Sequence, residues 1–118
     1  MRILFLVPVF LIVVIMSSCT STTTTTTDCT GITPTYTNDI ASVMNNSCAL
    51  SGCHNSSSKS AGIDLSTYDK VKTESAKSNF LKSIKHQSGV AAMPQGLAKL
   101  SDATILNIEC WINNNWPQ

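Results

Sequence analysis

The reactive side chains of this chain are concentrated in Cys48-Ala-Leu-Ser-Gly-Cys53-His54, two thiols followed at once by an imidazole. A thiol can add across a vinyl double bond: a carbon–sulfur bond forms, and the thiol hydrogen goes to the other vinyl carbon. Two such thiols with a histidine directly after the second are the pattern of covalent haem attachment, usually written Cys-x-x-Cys-His. Here the spacer is four residues, and Ser51-Gly52 lets the longer loop bulge because glycine tolerates positive φ. His54, fixed beside the second thioether, is then held under the iron as the proximal axial ligand. Three plainer uses compete. The cysteines can form a disulfide with His54 at the surface. They can join a zinc site, although structural zinc takes four ligands; the only other histidine is His86 and no second cysteine pair lies nearby. All three can also be buried filler.

The second informative stretch is Met93-Pro94-Gln95-Gly96, a turn by composition. Thioether sulfur is a soft ligand suited to haem iron, and the proline keeps Met93 out of a helix. The plainer reading of Met93 is a core gap-filler. His86 is the competing ligand. It sits near a helix C-terminus beside Lys85, where a cation is favoured, so solvent is its expected place. Met44 falls on an apolar helix face and reads as core.

From Tyr36 to about Trp116 these features resemble class I c-type cytochromes, especially small single-haem lipoproteins with Ser-Gly-Cys-His at the site. The resemblance implies an all-α, cytochrome c-like fold of about four short helices around one covalent haem c. It implies thioethers at Cys48 and Cys53, and His54 and Met93 as axial ligands of the iron. A Met-Pro pair in the loop between the third and last helices matches the family. The four-residue spacer departs from it.

Four helices must position these groups. Thr37-Asn38-Asp39 can cap a helix that carries Ile40, Val43 and Met44 and ends near Asn45-Asn46, just before the loop. Asn55 to Ser60 reads as polar loop. Ala61-Gly62-Ile63-Asp64-Leu65 resembles the family stretch that folds over a haem edge. Ser66 can cap a short helix with Tyr68 and Val71. Glu74 to Gln87 reads as a third helix with Phe80, Leu81 and Ile84 apolar, stopped by Ser88-Gly89. The last begins at Ser101-Asp102 and buries Ile105, Ile108, Trp111 and Ile112, fraying at Asn113-Asn114-Asn115. Tyr36, Tyr68, Phe80, Trp111 and Trp116 are expected to pack on the haem plate.

The N-terminus has a different character. Residues 1–18 are a basic start followed by the apolar run Ile3 to Met16, about 21 Å as a helix and too short for a comfortable span. With the small-residue exit Ser17-Ser18, this reads as a secretory signal, and as a lipoprotein signal peptide by the following resemblance. Met16-Ser17-Ser18-Cys19 resembles a bacterial lipobox, which implies cleavage before Cys19 and lipidation there; an ordinary signal peptide is the alternative. Residues 19–28 are the lipidated cysteine and a threonine-rich tether with nothing apolar to bury. Residues 29–118 form the domain.

Five cysteines are an odd number for an exported chain. With Cys19 on lipid and Cys48 and Cys53 on haem, Cys29 and Cys110 remain as a disulfide pair for an oxidising compartment. The rival arrangement pairs Cys48 with Cys53 as well and binds no haem. Seven lysines beyond the signal balance seven acidic residues, so there is no basic patch for nucleic acid. No Ser-His-Asp set, spaced carboxylate pair or phosphate-binding glycine loop points to an enzyme. The expected function is single-electron transfer with redox partner proteins, on a lipid-anchored domain facing the periplasm, at the outer membrane by resemblance to sorting rules. A disulfide-stapled surface binding module is the second reading. A haem sensor or peroxidase-like protein with an open sixth site is the third.

Overall fold

The computed structural model describes residues 26–118, and among them the regular structure is all helical, with four helices and no strand. The signal stretch, the lipobox at Cys19 and most of the threonine tether lie outside the described residues. No helix among the described residues is long and apolar enough to cross a membrane.

Helix α1 is continuous from Tyr36 to Cys48 but changes pitch. Wide π-type turns over Tyr36–Ile40 and Met44–Cys48 flank a single α turn, Ala41–Val43. Its cap is Thr35, not the expected Thr37 to Asp39. Thr35 Oγ1 accepts the Asn38 amide at 3.3 Å, and Asp39 Oδ2 accepts the Thr35 amide at 2.8 Å. This reciprocal pair resembles a capping box with the carboxylate one residue later. Ile40 and Met44 are fully buried. The helix runs past Asn45-Asn46, and its last wide turn carries Cys48. Such turns recur at functional sites.

Helix α2 spans Tyr68–Ser75 and α3 spans Ser78–Ile84; the sequence also gives two helices here, but with the second running from Glu74 to Gln87. Ser66 does not cap α2: the capping position is Thr67, and the Ser66 hydroxyl donates to Asp64 at 2.6 Å. The break comes at Ala76 and Lys77, the latter in extended conformation. Val71 and Phe80 are nine residues apart, about two and a half turns, so in one straight helix they would face opposite ways. The break turns both into the core.

Helix α3 ends before Ser88-Gly89. Gln87 N–H reaches the Lys82 carbonyl at 2.9 Å and His86 N–H the Ser83 carbonyl at 3.1 Å, with His86 left-handed at φ 55°. These are the two bonds of a Schellman cap. Helix α4, Asp102–Asn113, starts at Ser101, whose hydroxyl accepts the Thr104 amide at 3.1 Å. It buries Ile105, Ile108, Cys110 and Trp111, with Ile112 half-buried. The asparagine run does not fray. It forms a second cap of the same kind: Trp116 N–H bonds the Trp111 carbonyl at 3.0 Å, Asn115 N–H the Ile112 carbonyl at 3.1 Å, and Asn115 has φ 62°.

The chain beyond α4 locks three helices together. Tyr68 Oη donates to the Trp116 carbonyl at 2.6 Å, Trp116 Nε1 to Ser75 Oγ at 2.9 Å, and Trp111 Nε1 to the Pro117 carbonyl at 2.8 Å. The Tyr36 amide donates to that same carbonyl at 2.9 Å. The rings of Tyr36, Tyr68 and Trp111 pack with centroids 5.2 to 6.4 Å apart. Four of the five aromatics therefore serve this corner, and only Phe80 is left for a cofactor site. Cys29 is disulfide-bonded to Cys110, Cα atoms 5.5 Å apart, closing a span of 81 residues.

Candidate functional site

The wide last turn of α1 ends as the Ala49 amide bonds the Met44 carbonyl at 2.7 Å. Residues 49–53 then bulge through Gly52 at φ 80°, and the His54 amide returns to the Cys48 carbonyl at 3.1 Å. Closure of this loop fixes the two cysteines and the histidine relative to α1. Cys48 is half-buried, Cys53 exposed and His54 buried at 8 % exposure. Both cysteines are free thiols. Burial first, and then the neighbouring Cys53, push the Cys48 thiol up to about 11. At neutral pH Cys48 is therefore protonated and poor at thiolate chemistry.

A strap from Asn55 to Leu65 holds His54 from behind. The Ser60 amide bonds the Cys53 carbonyl at 2.9 Å and the Leu65 amide the His54 carbonyl at 2.7 Å. His54 Nδ1 lies 3.2 Å from the Ser60 carbonyl, which can only accept, so Nδ1 carries the proton. That tautomer leaves Nε2 with a lone pair. Nε2 has no partner among the described residues, and the side chain forms part of a cavity wall. Metal-binding histidines are commonly oriented by just such a donated bond.

The strap is itself braced by Asp64. Its carboxylate takes Lys70 Nζ at 2.6 Å and the Ser66 hydroxyl at 2.6 Å, with Lys59 Nζ at 3.9 Å. The hydrogen bonds from Lys70 and Ser66 hold this carboxyl well below the usual carboxylate range. A depressed carboxyl stabilises the fold above its unfolded-state pKa, and that contribution is lost as pH falls through the acidic range. Ala61, Ile63 and Leu65 turn to the cavity, while Asp64 points to Lys70.

The cavity has a volume of about 610 Å³, within the range of cofactor sites. It is lined by Cys48, Cys53, His54 and the strap, by Phe80 and Ile84 of α3, and by Met93 and Pro94 of the following loop. Its only charged lining residues, Glu74 and Lys77, pair with each other. The structure thus brings together Cys48, Cys53, His54 and Met93, although Met93 is distant in sequence. Met93 is half-buried, its amide bonds the Ser83 carbonyl at 3.0 Å, and the Met93–Pro94 peptide is cis.

His86 is exposed, as its position suggests, and is not part of the cavity wall. Its Nε2 instead donates to the Met93 carbonyl at 3.0 Å, a role sequence reasoning missed. Among the described residues no three His, Cys, Asp or Glu side chains converge as a bare metal ion requires. The cavity instead combines an apolar lining with two cysteines, a histidine and a methionine.

No known protein family, curated protein or solved structure matches this chain.

Proposed function

We propose that this chain is a cytochrome c-like, membrane-tethered carrier of single electrons, holding one haem c in the 610 Å³ cavity. In this reading Cys48 and Cys53 hold the group through thioethers, and His54 Nε2 and Met93 sulfur bind its iron. The observation that carries the reading is the joint presence of those four residues in the lining of one largely apolar cavity, with the His54 ring held by the Ser60 carbonyl. Bound haem supplies a one-electron iron couple. The protein's own part is to fix the axial groups, keep water from most of the cofactor and set the potential, which Met/His ligation raises relative to bis-His. Phe80, Ile63, Leu65 and Ile84 provide the apolar cover.

The test is expression with a cytochrome c maturation system, followed by denaturing electrophoresis and haem staining. A haem-stained band at the size of the processed chain is expected, lost in Cys48→Ala/Cys53→Ala. A colourless band from the processed wild type would overturn covalent attachment. The free state of both thiols favours this reading over a domain stapled by a second disulfide.

The tethering part of the proposal rests on Met16-Ser17-Ser18-Cys19 and the threonine run. Labelled fatty acid is expected in the wild type and not in Cys19→Ala. Equal labelling of the two excludes lipid at this residue.

A further inference from the structure

We infer that His86 is a positioning residue for the distal ligand: its imidazole latches the backbone of Met93 and so holds the thioether towards the cavity. The inference rests on the reading of Met93 as an iron ligand. The latch itself is a matter of hydrogen bonds within the protein.

The cap of α3 needs a left-handed residue at position 86, where φ is 55°. This is the place where helices usually put glycine, because a Cβ is strained in that conformation. A glycine would close the same cap with less strain. Histidine adds only its ring, and the ring has one partner among the described residues: Nε2 donates to the Met93 carbonyl at 3.0 Å. On the other side of the same residue, the Met93 amide donates to the Ser83 carbonyl at 3.0 Å. That carbonyl also takes the His86 amide at 3.1 Å. Both peptide groups flanking the Met93 Cα are therefore tied to the cap of α3, one through main chain and one through the imidazole.

The loop has few other restraints. Ala91, Ala92, Gln95, Gly96 and Leu97 are exposed, and Leu97 N–H reaches the Pro94 carbonyl only at 3.4 Å. Without the ring, Met93 is held by its bond to Ser83 alone, so that bond opens more often and the side chain moves with the loosened backbone. His86 does not line the cavity, so it acts through Met93 alone.

The experiment compares His86→Gly and His86→Gln with the wild type, using the full processed chain. Glycine removes the ring while keeping the positive φ, so the helix cap survives. Glutamine restores an N–H donor of similar reach. Three readouts are taken: hydrogen exchange at the Met93 amide, which needs no haem, the Fe–S charge-transfer band of the oxidised, haem-loaded protein, and the affinity of its reduced form for carbon monoxide. In His86→Gly we expect faster exchange at Met93, a weakened Fe–S charge-transfer band, and carbon monoxide binding about three- to tenfold tighter, the factor one such hydrogen bond is worth. His86→Gln should return towards the wild type in all three. Unchanged exchange and unchanged affinity in His86→Gly overturn the inference. Faster exchange, with carbon monoxide affinity indifferent to both His86→Gly and Met93→Ala, supports the latch and removes Met93 as ligand.

Discussion

If haem is held through His54 and Met93 as proposed, Met93→Ala is expected to open the sixth position, so that the protein binds carbon monoxide readily. In the wild type an external ligand must wait for the sulfur to leave, so its apparent affinity is scaled by the open fraction. If that fraction is about 1 %, removing the sulfur tightens binding about a hundredfold. The weak Fe–S charge-transfer band of the oxidised protein should disappear, and the potential should fall because a soft ligand that favours Fe(II) is gone. The fold should survive. Met93 is only half-buried, and its amide and carbonyl bonds to Ser83 and His86 are main-chain features that alanine keeps. Absorption spectra, carbon monoxide titration and a redox titration check the three effects. If wild type and variant bind carbon monoxide equally, the sixth position was open from the outset, and the sensor or peroxidase-like reading moves ahead of electron transfer.

Cys29→Ser/Cys110→Ser should cause a large loss of stability. The bond closes a span of 81 residues, and removing the loop-closure constraint on the unfolded chain costs about 4–5 kcal/mol in the chain-entropy account. Cys110 is fully buried, so the serine hydroxyl adds a burial penalty of its own. A domain of this size loses roughly 4–8 °C in Tm per kcal/mol, so a fall of about 20 °C or more is expected in thermal unfolding by circular dichroism. The haem stain should be retained in any variant protein that still folds, because neither residue lines the cavity. A fall of only a few degrees would mean that α4 and its aromatic corner hold the N-terminal segment without the bond.

What the sequence reveals of this fold depends on whether a feature repeats. Helix α4 is readable because Ile105, Ile108 and Trp111 recur at helical spacing after a serine cap. The same is true of Ile40, Val43 and Met44 in α1. The sequence separates α2 from α3 but places the boundary before Glu74, because Ala76 and Lys77, where the break falls, are both ordinary helix residues. The break exists there only because Val71 and Phe80 must reach the same core. The end of α3 is missed for a related reason: the stop sign is glycine, and here a histidine takes the left-handed position. Of the site, the side chains with reactive chemistry are visible by type, and they do line one cavity. The groups that orient them are not visible. Ser60 acts through a carbonyl that any residue has, and His86 acts on main chain across a loop. The aromatics mislead because composition gives their number but not which wall they cover, and most of them cover the corner between α1, α2 and α4.

The Cys29–Cys110 bond also decides where a leash would be fastened. With lipid on Cys19, the free length up to Cys29 is at most about 35 Å when fully stretched. Any pull along it enters the domain at Cys29 and passes through sulfur straight into α4, sparing the segment before α1 from bearing load. Neither the segment before α1 nor α4 contributes to the cavity. Were the chain lipid-anchored and haem-loaded as proposed, load on the anchor would bypass the cavity, and one tethered molecule could meet a donor and then an acceptor without leaving the membrane.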